Sequence, residues 1–100
     1  IGSLSQMNID RSFIGVCSVS PTFGLSAFDI ADATFKRALV AASGYTIALA
    51  TTDKLEVRAP HRVSEISEID CLVLEHDAPI SHLDDLVRAE ASIVKALQPF

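Results

Sequence analysis

The chain has 100 residues, 49% of them hydrophobic, with only four glycines and four prolines, a composition that describes one packed domain and excludes a disordered or fibrous chain. A net charge of −5 with no Lys/Arg run longer than two excludes a nucleic-acid footprint within this chain. No stretch approaches the ~20 apolar residues of a membrane helix, and none has the layout of a signal peptide.

Cys17 and Cys71 form no CxxC pair and read as buried, reduced thiols of a cytoplasmic protein. A chain this short buries a modest fraction of its surface, and it starts at Ile1 without an initiator Met. We therefore expect a fragment whose core is completed by a missing segment or a partner subunit.

Residues 12–19 are a short apolar run interrupted by Gly15, which predicts a first strand. Ser20-Pro21-Thr22-Phe23-Gly24 follows with turn chemistry. Residues 29–43 are the clearest helix, with Ala31, Phe35, Ala38, Leu39 and Ala42 on the expected buried face. Asp29 suits the N-cap, Asp32 stands where an acid can reach back to it, and Gly44 supplies a stop. Residues 45–51 read as a strand buried on both faces, the pattern of a parallel sheet covered by helices. The segment is therefore β-α-β.

Residues 52–68 are charged and irregular, with one helical turn expected near residues 63–66. Residues 70–75 predict a third strand. Ser81-His82-Leu83-Asp84 resembles a capping box opening a second helix, with Leu83, Leu86 and Val87 as its buried stripe. Residues 91–95 close as a fourth strand. The expected fold is α/β with a mostly parallel sheet and flanking helices.

In such sheets ligands bind beyond the carboxyl ends of the strands, so Thr51-Thr52-Asp53-Lys54 is the first place to look. Lys54 can contact a phosphate or carboxylate, although a surface Lys at a strand end is the commoner case. Asp32 and Lys36, four apart, share a helix face and most often form a surface ion pair. Cys17 is more often an inert strand thiol than a reactive one. His61, His76 and His82 show no metal-ligand spacing, so no metal site is expected. There is no GxSxG, GxGxxG or P-loop, and no cofactor is implied.

One family resembles this order of motifs. Asp10-x-x-Phe13-Ile14-Gly15-Val16-Cys17, Gly24-Leu25-Ser26, Phe28-Asp29-x-x-Asp32-x3-Lys36-Arg37-Ala38 and Ala50-Thr51-Thr52-Asp53-Lys54-Leu55, followed by Ile69-Asp70-Cys71-Leu72-Val73, resemble the C-terminal effector domain of DeoR-type transcriptional regulators over residues 7–96. Many members have Gly-Ala-Asp-Gly in place of Gly15-Val16-Cys17-Ser18 and Asp-Ser-Ser-Lys in place of residues 51–54. Asp32 replaces the family's usual Glu.

The resemblance implies a sensor fold similar to ribose-5-phosphate isomerases and CoA transferases, Rossmann-like in its layers. It implies residues 1–100 as part of that domain, with the helix-turn-helix and the early sensor strands outside the chain. The implied function is binding of a sugar phosphate that modulates DNA binding by a full-length homo-oligomeric repressor or activator. Effector contacts would come from Cys17, Asp32, Lys36, Thr51, Asp53 and Lys54, with Lys54 on an anionic group and Thr51 and Asp53 on hydroxyls. The similar isomerases place catalytic acids where this chain has Cys17, Ser18 and Phe35, so an enzyme is the weaker alternative. A structural oligomerisation domain with a vestigial pocket is the other.

Overall fold

The computed structural model describes residues 8–55 and 57–96. Strand β1 (Ile9–Gly15) is followed by β2 (Ser18–Ser20), β3 (Gly24–Ala27), helix α1 (Ile30–Ala42) and β4 (Ser43–Ala50). A 3-10 turn (Thr52–Leu55), β5 (His61–Ser64), a second 3-10 turn (Ile66–Glu68), β6 (Cys71–Leu74), α2 (Ile80–Arg88) and β7 (Ile93–Lys95) complete the order.

The strands form two sheets. Strands β1-β4-β6-β7 make a four-stranded sheet in that order, every pair parallel. Strands β2-β3-β5 make a three-stranded antiparallel sheet. The expected α/β fold with a mostly parallel sheet and two helices is therefore correct. The antiparallel sheet was not expected.

Its origin lies in residues 12–19, which are two strands and not one. Burial alternates through Ser12, Ile14 and Val16, then changes phase because Ser18 and Val19 are both buried. Strand side chains alternate faces, so the one-face pattern of β1 ends here and β2 is covered on both sides. The chain leaves the parallel sheet after Gly15, and the Cys17 N–H donates to Ser26 O at 3.0 Å to begin the second sheet. A turn at residues 21–23 closes β2 onto β3, held by the Thr22 and Phe23 amides donating to Ser20 Oγ at 3.3 and 3.1 Å.

Helix α1 starts as expected, with the Asp29 carboxylate accepting from the Ala31 amide at 2.9 Å. Asp32 does not reach back to the cap; its carboxylate accepts from Lys36 Nζ at 2.9 Å. The buried face also differs. Ala33 is fully buried and Leu39 and Val40 pack on the core, while Ala31 is exposed and Phe35 stays 48% exposed. The helix lies mainly against β5, an element absent from the expected layout. No glycine stop is needed, because Ser43 caps α1 and opens β4 at once, its Oγ donating to Leu39 O at 2.6 Å and accepting from the Ser12 hydroxyl at 2.8 Å.

Strand β4 buries Thr46, Ala48 and Ala50, while Tyr45 is exposed and Ile47 and Leu49 are half-buried. It is covered on one face only among the described residues, not on both. Residues 63–66, expected as a helical turn, instead end the edge strand β5 and lead into the 3-10 turn at Ile66–Glu68. Helix α2 begins at Ile80 with Pro79 at the cap position and no side-chain cap, so the Ser81 capping box does not form. Leu86 is buried and Leu83 packs on the core, but Val87 is 59% exposed.

The core lies between the sheets. Ile14, Ala48, Ala50, Leu72 and Leu74 meet Val19, Leu25, Ala27 and Val63, with Ala33 and Leu86 added by the helices. Asp70 ties β6 to β4 twice: its carboxylate accepts from the Thr46 amide at 2.7 Å, and its own N–H donates to Thr46 O at 3.0 Å.

Gly24 sets the close approach of β3 to β5. Its φ is +87°, and a Cβ there would lie 2.2 Å from Ser64 O. Gly24→Ala combines left-handed backbone strain with a collision against main chain, together on the order of 2–4 kcal/mol. Chemical denaturation should show at least that loss, whereas Ala at the open Gly15 position should cost far less.

Candidate functional site

In a parallel sheet all strands end at one edge, so the residues after β1, β4 and β6 gather there. Thr51, Thr52, Asp53 and Lys54 leave β4 as a 3-10 turn. The Thr51 hydroxyl donates to the Asp53 carboxylate, and the Lys54 amide donates to Thr51 O at 3.0 Å. The Lys54 ammonium lies 3.4 Å from Asp53 Oδ2, with its side chain 35% exposed. Residues 51, 53 and 54 are thus one connected unit.

Two acids outside the expected set hold that unit to the next strand. Glu75 Oε1 accepts from the Thr52 amide at 2.9 Å, and the Asp77 carboxylate accepts from the Thr52 hydroxyl. Both follow β6, which pairs in parallel with β4 through Ala50 and Leu74. The signal was present in the order of strands, since adjacent parallel strands place their following residues side by side.

Asp32 and Lys36 form their own ion pair at 2.9 Å on α1. No hydrogen bond or ion pair joins them to the Thr51–Lys54 unit among the described residues. Cys17 is a free, half-buried thiol in the β1–β2 link, packed against the core.

A concavity lies beside this edge, where β2 packs on the Thr52–Leu55 turn. It has a volume of about 620 Å³ and is lined by Ser18, Ser20, Thr22, Phe23, Arg58, Ala59 and Pro60. Strand β2, which supplies its wall, packs against the Thr52–Leu55 turn, and the Ser18 hydroxyl donates to Val57 O. The guanidinium of Arg62 sits 4.8 Å from the Phe23 ring centre and its Nε donates to Phe23 O at 2.7 Å. A size of this order suits a small ligand. None of the six expected contact residues lines it.

A hydroxyl-lined cavity, a cation and a ring of carboxylates can bind a small polar molecule. The positions where the isomerase-like alternative needs acids offer none: Phe35 is an exposed ring and the Ser18 hydroxyl is engaged.

A family model of the DeoR C-terminal sensor domain matches residues 1–76. The match runs from before β1 through the end of β6, leaving α2 and β7 beyond it. No curated protein matches the chain. No described helix is long and apolar enough to cross a membrane.

The Thr51 hydroxyl, with Lys54 beside it, holds the Asp53 carboxyl below its ordinary 3.8, and the Thr52 hydroxyl does the same for Asp77. A lowered carboxylate contributes stability above its unfolded value and loses it as pH falls through the folded one. The Asp53 and Asp77 carboxyl resonances should therefore show midpoints below 3.8. Thr51→Val should raise the Asp53 midpoint and Thr52→Val that of Asp77, each leaving the other in place; carboxyl-detected NMR titration reads both.

Proposed function

The chain belongs to the DeoR C-terminal sensor domain family, a regulatory family of ligand-sensing domains, and we propose that its effector is a phosphorylated sugar. The observation that supports this reading is the pairing of the Thr51–Lys54 unit with the hydroxyl-lined cavity at the carboxyl edge of the parallel sheet. Carboxylates such as Asp53 accept hydrogen bonds from sugar hydroxyls, Thr51 and Ser20 can donate or accept, and a cation is needed for the phosphate. Cys17, Asp32 and Lys36 complete the proposed contact set from the β1–β2 link and the first turns of α1.

In the full-length regulator, a cytoplasmic homo-oligomer in this reading, DNA is held by a separate helix-turn-helix. Effector binding changes DNA affinity only by favouring one of two arrangements of the protein. The effector acts as a signal and is not turned over.

A thermal-shift panel of sugar phosphates and their free sugars checks this directly. An effector at a hundred times its Kd stabilises by about 2.7 kcal/mol, a Tm rise of roughly 10 °C for a domain of this size. Lys54→Ala should reduce that rise for the same compound. No shift across the panel would favour the vestigial oligomerisation scaffold; conversion of a panel compound would favour the isomerase-like enzyme.

A further inference from the structure

The Thr51–Lys54 unit is poorly suited to hold an anion by itself. Its one ammonium already lies 3.4 Å from Asp53, and Thr52 draws Glu75 and Asp77 to the same place. Three carboxylates there outnumber Lys54 and Lys95, the latter near enough to Asp77 to lower its carboxyl pKa, and like charges oppose a second anion.

The neighbouring cavity has the opposite character. Among the described residues its lining holds no Asp or Glu, and Arg58 stands at its wall. Lys36, Lys54, Arg62 and Arg88 each have a carboxylate within 4.0 Å; Arg58, like Arg11, Arg37 and Lys95, has none among the described residues, and of these four only Arg58 lines the cavity. Ser20 Oγ and Thr22 Oγ1 lie 3.2 Å apart, so one hydroxyl hydrogen fills the gap between them and the other remains to donate. A guanidinium fork with an adjacent hydroxyl donor is the chemistry that recognises a planar or tetrahedral oxyanion.

We propose that this cavity is the oxyanion subsite of the sensor, with Arg58 taking the terminal phosphate or carboxylate of a hydroxylated ligand. The ligand's hydroxyls then face the carboxylates of the Thr51–Lys54 edge, across the packing of β2 on that turn. This orientation rests on the sensor reading above and adds to it the residue that selects charge. Phe23, whose ring carries Arg62, is the apolar wall of the subsite.

Two measurements on the full chain test it. The first titrates inorganic phosphate and follows the Arg58 guanidinium and the amides of residues 18–20, 22 and 23 by NMR. Saturable shifts confined to that group, lost in Arg58→Ala, are expected; phosphate shifts located elsewhere, or none, would overturn the subsite. The second compares sugar phosphates, sugar acids and free sugars by calorimetry.

Arg58→Ala should weaken the charged ligand roughly 10- to 100-fold, the loss of one charge-assisted contact, and leave a free sugar within about twofold. Arg58→Lys, which keeps the charge without the fork, should fall between. Sugar phosphates against sugar acids identify which oxyanion is preferred. A sugar phosphate that binds the Arg58→Ala protein as tightly as the native one would sink the subsite and leave the sensor reading intact. Phosphate at Arg58 with no sugar derivative bound would do the reverse.

Discussion

Strand β4 has a parallel partner on each side, and its two registers decide what stands at the functional edge. Ile47 aligns with Phe13 of β1 and with Cys71 of β6, so β4 is central and cannot slide. A slip of one residue would send Thr46, Ala48 and Ala50 from the core to the opposite face. The double tie from Asp70 to Thr46 fixes the amino end of that register. With it fixed, the residues after β4 and β6 must meet, and Thr52 finds Glu75 and Asp77.

The features legible in the sequence were those set by near neighbours. Helix α1 could be read because Asp29 caps it within two residues and its apolar spacing is helical. The Thr51–Lys54 unit and the Asp32–Lys36 pair are likewise local. Strand β5 could not be read, because His61 and Arg62 look like loop residues until β3 offers a partner and they become the outer positions of an edge strand. The buried face of α1 failed for the same cause: its main support is β5, and only with that strand in place is Ala33 fully buried. Arg58 and the cavity were invisible in the same way, since β2 and residues 58–60 are far apart in the chain.

The covering of β4 on one face has a physical counterpart. Phe13, Tyr45 and Val94 are 66%, 42% and 53% exposed, and the registers place Phe13, Ile47, Cys71 and Val73, with Leu49 and Val94, on the same side of the parallel sheet. Purely parallel sheets are ordinarily covered on both sides. The apolar character of β4 pointed to burial on both faces, whereas the described residues cover one side only.

Charge separation gives the edge a direction. The acids collected around Thr52 come from the parallel sheet, while Arg58 precedes β5 of the antiparallel sheet. A ligand with hydroxyls at one end and an oxyanion at the other therefore addresses both sheets at once. Neither end alone gains from their mutual arrangement. In the arrangement proposed above, a neutral sugar would meet the acidic edge alone and a bare phosphate Arg58 alone, so neither would depend on the relation of the sheets. Only the molecule carrying both functions has a free energy that depends on the spacing between them, and a dependence of that kind is what a ligand needs in order to favour one arrangement over another. The same geometry that sorts ligands by charge is thus the one through which binding can be felt elsewhere in the protein.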